Sequence, residues 1–250
     1  MSKLRSLLVW LIFVPFTLVW FIPILISALW PPRKRHRMGA FWNATLVYLM
    51  NKIVGLRYRV SGLEHIENKP MIICCKHQSG YETLALQRFL PDQVFVIKKE
   101  LLWFPIFGIS LYVMNSIPID RHRKTAQSRE KLMRVVKKRK EQGFWINIFP
   151  EGTRVKPGTR GYYHYGAARI AKALQLDILP VATNSGEFWG KGIFKLPGTV
   201  DFVIGPPISY QSGEPQEIMR QCEEWIEKTQ LTINGRGPLW SKAVSYTHLT

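Results

Sequence analysis

From Ser6 to Pro32 the chain carries no charged residue, a run of 27 rich in Leu, Ile, Val, Phe and Trp. A helix of about 20 apolar residues already crosses the hydrocarbon core of a bilayer. Contact with a membrane is therefore the first constraint on any fold. Arg33-Lys34-Arg35-His36-Arg37 follows at once, against only Lys3 and Arg5 before the run. That bias places the downstream chain on the cytoplasmic face of an inner membrane. A cleaved secretory signal would have an apolar core of about 7–15 residues, shorter than this one. Pro15 and Pro23 interrupt the helical ladder, so a kinked span and a re-entrant pair of short helices both fit. Trp10, Trp20 and Trp30 are placed to seat the segment at an interface.

The 250 residues, 46% of them hydrophobic, can bury one sizeable core plus an anchor but not two independent catalytic domains. Residues 1–56 read as anchor and amphipathic connector, 57–240 as the folded domain, and 241–250 as a tail without core pattern. A formal net charge of +18 calls for an anionic partner or surface: nucleic acid, anionic membrane lipid or a phosphorylated substrate. Nucleic-acid binding would interleave basic residues with stacking aromatics or show a known fold signature, and neither stands out. The three cysteines, two of them adjacent as Cys74 and Cys75, have no metal-ligand spacing and form no even disulfide framework. They read as small residues of buried strands.

Beyond the connector from Phe41 to Gly55, short β-rich runs alternate with helical stretches. Arg57–Val60, Met71–Cys75, Val94–Ile97, Trp145–Phe149, Ile178–Ala182 and Val200–Ile204 are predicted strands, several apolar enough for burial on both faces. Helices are predicted around Thr83–Phe89, Thr125–Gln142, Gly166–Gln175 and Pro215–Lys228. This alternation defines an α/β domain with a mixed, largely parallel sheet flanked by helices. Leu101 to Ile119 is a second uncharged stretch, but Pro105, Gly108, Asn115 and Pro118 break it. It reads as a buried or interfacial helix followed by a strand.

Four segments carry chemistry. After the strand Met71–Cys75 comes Lys76-His77-Gln78-Ser79-Gly80-Tyr81-Glu82, at a strand-to-helix transition, where α/β sites usually lie. In an unbroken α-helix, His77 and Glu82 would point about 140° apart. A turn at Ser79 and Gly80 lets Glu82 accept the Nδ1 proton of His77 and leaves Nε2 free. That is the base-and-orienter half of a triad with no protein nucleophile, so the nucleophile would be a substrate hydroxyl. Second, Phe149-Pro150-Glu151-Gly152-Thr153-Arg154 follows a strand and offers backbone N–H groups, a hydroxyl and a guanidinium to one anion. Ile117-Pro118-Ile119-Asp120-Arg121 ends a short strand with an arginine, and Ile178-Leu179-Pro180-Val181-Ala182 is a buried strand.

Together, in this order, these segments resemble the 1-acyl-glycerol-3-phosphate (lysophosphatidic acid) acyltransferase family, over roughly residues 57–208. The resemblance implies an enzyme moving a fatty acyl group from acyl-carrier protein or coenzyme A to the sn-2 hydroxyl of lysophosphatidic acid. The product is phosphatidic acid, made without metal or prosthetic group. It also implies His77 as general base and Glu82 as its orienter. Arg121, Glu151, Gly152, Thr153 and Arg154 would hold the glycerol phosphate, and Lys98 matches another basic position near it. The usual first motif has aspartate where Glu82 stands and asparagine where Lys76 stands. Two other readings are a sister acyltransferase using glycerol-3-phosphate or another lysophospholipid, and a non-enzymatic, membrane-tethered anion binder.

Overall fold

The computed structural model of the chain describes residues 2–120 and 125–240; the tail 241–250 lies outside them. Helix α1 runs unbroken from Ser2 to Ser27 through Pro15 and Pro23, so neither proline divides it into the short pair that the sequence allowed. A second helix, α2 (Pro32–Leu49), starts at a proline preceded by Pro31. Proline suits that first position because its φ is preset and its missing N–H would have no partner there. The basic run is thus the first turns of a helix rather than a linker. A π-helical turn over Met50–Val54 extends α2 until Gly55, whose φ of 82° takes the left-handed turn that ends it.

α1 and α2 pack antiparallel, with Trp20 stacked on Phe41 and Phe13 against Trp42. α1 also lies along the domain. Ser6 Oγ bonds Lys195 O at 3.0 Å, and Trp10 Nε1 donates to Ile193 O at 2.7 Å. Trp20 Nε1 donates to Met38 O at 3.1 Å. Trp10 and Trp20 are therefore used for internal packing, and among the three tryptophans Trp30 is the exposed one. The outer face keeps Leu4, Leu11, Val19, Ile22 and Leu29 exposed.

Seven strands form one sheet in the order β1-β7-β6-β2-β5-β3-β4: β1 (Leu56–Ser61), β2 (Ile72–Cys75), β3 (Gln93–Lys98), β4 (Ile117–Ile119), β5 (Trp145–Ile148), β6 (Ile178–Thr183) and β7 (Gly198–Ile204). β6, β2, β5, β3 and β4 run parallel, while β7 is antiparallel to β6 and carries β1 with it. Alternate residues of β2 feed two cores. Ile73 and Cys75 join Val9, Phe13, Leu46, Met50 and Tyr81 on one face; Ile72 and Cys74 join Val136, Ala171 and Ile226 on the other. Helices α3 (Tyr81–Phe89), α5 (Ala126–Glu141), α6 (Gly166–Leu174) and α7 (Pro215–Ile233) flank the sheet. All three cysteines are buried and free.

The second uncharged stretch folds as a 3₁₀ turn over Lys99–Trp103, helix α4 (Pro105–Val113) and strand β4. α4 lies at the surface, with Gly108 and Val113 as its buried residues. It packs on α1 and leaves Phe104, Phe107, Ile109 and Tyr112 exposed beside it.

Candidate active site

Because β2, β5, β3 and β4 are parallel neighbours, their carboxyl ends share one edge of the sheet, and each predicted site segment leaves from that edge. The chain turns over Lys76–Gly80 before α3 begins. Glu82, at the start of α3, is fully buried and collects the turn's donors. Its Oε1 accepts from Gln78 N at 2.7 Å, Ser79 N at 2.8 Å and His77 Nδ1 at 2.9 Å. Its Oε2 accepts from Ser79 Oγ at 2.5 Å and Ser185 Oγ at 2.7 Å. Burial would push this carboxyl up, but His77 and Ser79 outweigh it and hold Glu82 below the usual carboxylate range. The imidazole stacks on Phe149, ring centroids 3.9 Å apart. With Nδ1 committed to Glu82, Nε2 has no partner among the described residues, and the side chain stays partly exposed.

The second segment is clamped to the first. Val155 N donates to His77 O at 2.8 Å, and His77 N donates to Glu151 Oε2 at 2.7 Å. Gly152 N closes the turn on Phe149 O at 3.0 Å, with Gly152 at a φ of 66° that favours glycine. Glu151 is placed differently from the other expected phosphate-holding residues. Its carboxylate faces inward, 3.0 Å from Lys76 Nζ. Lys76 is 1% exposed and also meets Glu227 of α7 at 2.5 Å, while Tyr163 Oη donates to the same Glu227 oxygen at 2.8 Å. Burial alone would lower the lysine, but Glu151 and Glu227 together raise it. Burial pushes the Glu151 carboxyl up despite Lys76. The sequence marked Lys76 only as a departure from the usual asparagine; its partner Glu227 gave no local signal.

Thr153 and Arg154 are exposed on the same turn, and Arg154 forms no ion pair among the described residues. Its guanidinium lies over the His77 turn: a Cβ on Gly80 would stand 3.2 Å from Arg154 Nη2 and 3.6 Å from Trp189 Nε1. Lys98 ends β3 on the shared edge and is exposed. β5 separates β3 from β2, so Lys98 stands about 10 Å across the sheet from the His77 strand at the usual strand spacing. Arg121 lies outside the described residues, directly after Asp120 beyond β4. A further cation, which sequence reasoning missed, is Lys195, buried with its Nζ 4.4 Å above the Trp189 ring. Burial first, and the charge of Arg154 next, push Lys195 down to about 8. Such an arrangement can take a proton from a hydroxyl at Nε2 while cations hold an anion beside it.

The chain belongs to the Acyltransferase family, whose model matches residues 57–184. Among curated proteins it is similar to 1-acyl-sn-glycerol-3-phosphate acyltransferase of Pseudomonas aeruginosa, 35% identical over 242 residues and covering 93% of each chain. It is also similar to the mouse (Mus musculus) 1-acyl-sn-glycerol-3-phosphate acyltransferase alpha, 29% identical over 72% of this chain and 65% of that one. The solved structure of the 1-acyl-sn-glycerophosphate (LPA) acyltransferase PlsC from Thermotoga maritima shares the fold, with a TM-score of 0.75 at 21% identity, over 97% of this chain and 100% of that one.

Proposed function

We propose that the chain transfers a fatty acyl group from an acyl-carrier protein or coenzyme A thioester to the sn-2 hydroxyl of lysophosphatidic acid, giving phosphatidic acid. The observation that carries this reading is the Nε2 of His77, without a partner among the described residues and oriented by buried Glu82, with the guanidinium of Arg154, in no ion pair among the described residues, over the same turn. Arg154 and Thr153 receive the phosphate, with Lys98 at the end of β3; Arg121, which the resemblance adds, lies outside the described residues. His77 Nε2 takes the hydroxyl proton as its oxygen attacks the thioester carbonyl. Collapse of the tetrahedral oxyanion breaks the C–S bond, and the imidazolium returns its proton to the leaving thiolate. Glu82 stays ionised throughout and stabilises the imidazolium. Holding both reactants in attack geometry supplies much of the acceleration. No metal or prosthetic group enters this chemistry.

The seat on the membrane follows from α1. It is long and apolar enough to cross a bilayer, yet it is bonded along its length to the domain and to α2. This favours a helix lying in one leaflet with its outer face, and that of α4, in the acyl region. The basic residues 33–37 support a seat on the cytoplasmic face. The test is to incubate membranes carrying the protein with a labelled acyl thioester and lysophosphatidic acid. Labelled phosphatidic acid is expected with the wild type and not with His77→Ala; equal product from both would sink the reading.

A further inference from the structure

We infer that Lys76 is a positioning residue for the acyltransferase site: by holding Glu151 and Glu227 together it braces the Arg154 turn and the His77 backbone against helix α7. The inference rests on the function proposed above and concerns a group that touches neither substrate. Glu151 Oε2 takes the His77 N–H at 2.7 Å, and its other oxygen lies 3.0 Å from Lys76 Nζ. The same ammonium bonds Glu227 Oε1 at 2.5 Å and Thr159 O at 3.1 Å. Thr159 sits five residues beyond Arg154 in the same loop. One buried cation thus spans the sheet edge, the phosphate turn, the loop behind it and α7.

The shape of this site leaves little slack. A Cβ on Gly161 would lie 2.9 Å from Glu151 Cγ and 3.0 Å from Glu151 Oε1, so that carboxylate is packed against backbone as well as bonded. The asparagine usual in this motif is two atoms shorter than lysine and cannot reach both carboxylates. Here the extra reach brings α7 into the support of the site. Without the ammonium, Glu151 faces Glu227 with no cation between them, and its turn, carrying Arg154, must give way.

The experiment measures steady-state kinetics and melting temperature for the wild type, Lys76→Met, Glu227→Gln and the double variant Lys76→Met/Glu227→Gln, with His77→Ala as the inactive control. Lys76→Met is expected to raise KM for lysophosphatidic acid at least tenfold and to lower kcat as well. Glu227→Gln, which keeps the lysine–Glu151 pair but loses the charged tie to α7, should raise KM by less than Lys76→Met does. The double variant removes one of the two orphaned buried carboxylates, so its melting temperature should recover toward wild type while its KM remains raised. A merely structural lysine would give the opposite: a double variant that melts and binds acceptor like wild type. That result, or a native KM in Lys76→Met, overturns the inference alone. A wild type without activity overturns the acyltransferase reading and takes this inference with it.

Discussion

At the residue scale, the site separates into groups that face substrate and groups that hold them. His77→Ala leaves the thioester and acceptor bound but removes the base, and kcat should fall on the order of 10²- to 10⁴-fold with little change in KM. Glu82→Gln keeps the size of the side chain but sets an amide among three donors to Oε1, from Gln78 N, Ser79 N and His77 Nδ1. Loss of up to about 10⁴-fold in kcat is expected, the scale seen when an orienting carboxylate of a triad becomes an amide. A far smaller loss would mean that the imidazole is oriented by its stacking on Phe149 instead. Arg154→Ala removes charge-assisted bonds worth about 1.5–3 kcal/mol, so acceptor KM should rise roughly 10- to 100-fold. An unchanged KM would take the phosphate from Arg154. The His77–Glu82 pairing was legible because Ser79 and Gly80 allow the turn that an unbroken helix forbids. The inward placement of Glu151 was not legible because its motif is local, whereas the lysine and Glu227 that it faces come from distant parts of the chain.

At the scale of elements, strand ends and helices fell close to their predicted places, since periodicity and flanking turn residues mark them. The N-terminal segment was harder. Composition and length showed that α1 is apolar, but not that Trp10 donates to Ile193 O of the domain and Trp20 to Met38 O of α2. Nor did Pro15 and Pro23 divide it, because packing against α2 and the domain overrides the local helix-breaking preference of proline. The membrane role of its outer face is testable at Leu11 and Val19, which are 72% and 68% exposed. Leu11→Glu together with Val19→Glu should lower partitioning into lipid vesicles at least tenfold while leaving the circular dichroism spectrum unchanged. Equal partitioning of the double variant would show that α1 does not make the contact.

For the whole molecule, +18 of net charge calls for an anionic setting but does not say which of the cations the fold perturbs. Lys195 illustrates why: its lowered pKa comes from burial over Trp189 and from its nearness to Arg154, both properties of the assembled fold. Its ammonium titrates near 8 when folded and near the ordinary 10.5 when unfolded. The unfolded chain therefore binds more protons between those values, and stability contributed by this group rises with pH across that window. It is fully present above 10.5 and lost as pH falls through about 8. Melting temperature followed from pH 7.5 to 10 should rise more steeply for wild type than for Lys195→Met; parallel curves would refute the shifted lysine.

One consequence of the way α1 is seated bears on any attempt to prepare the enzyme without detergent. Val9 and Phe13 are buried in the same core as Tyr81, and Trp10 meets Trp189, which in turn meets Tyr81 at the first residue of the helix that bears Glu82. Clipping away the greasy leader would strip core packing from beneath the helix that bears Glu82, so a trimmed catalytic fragment should come out misfolded or inert. Solubility is better sought by repainting the outward side of that leader than by cutting it off.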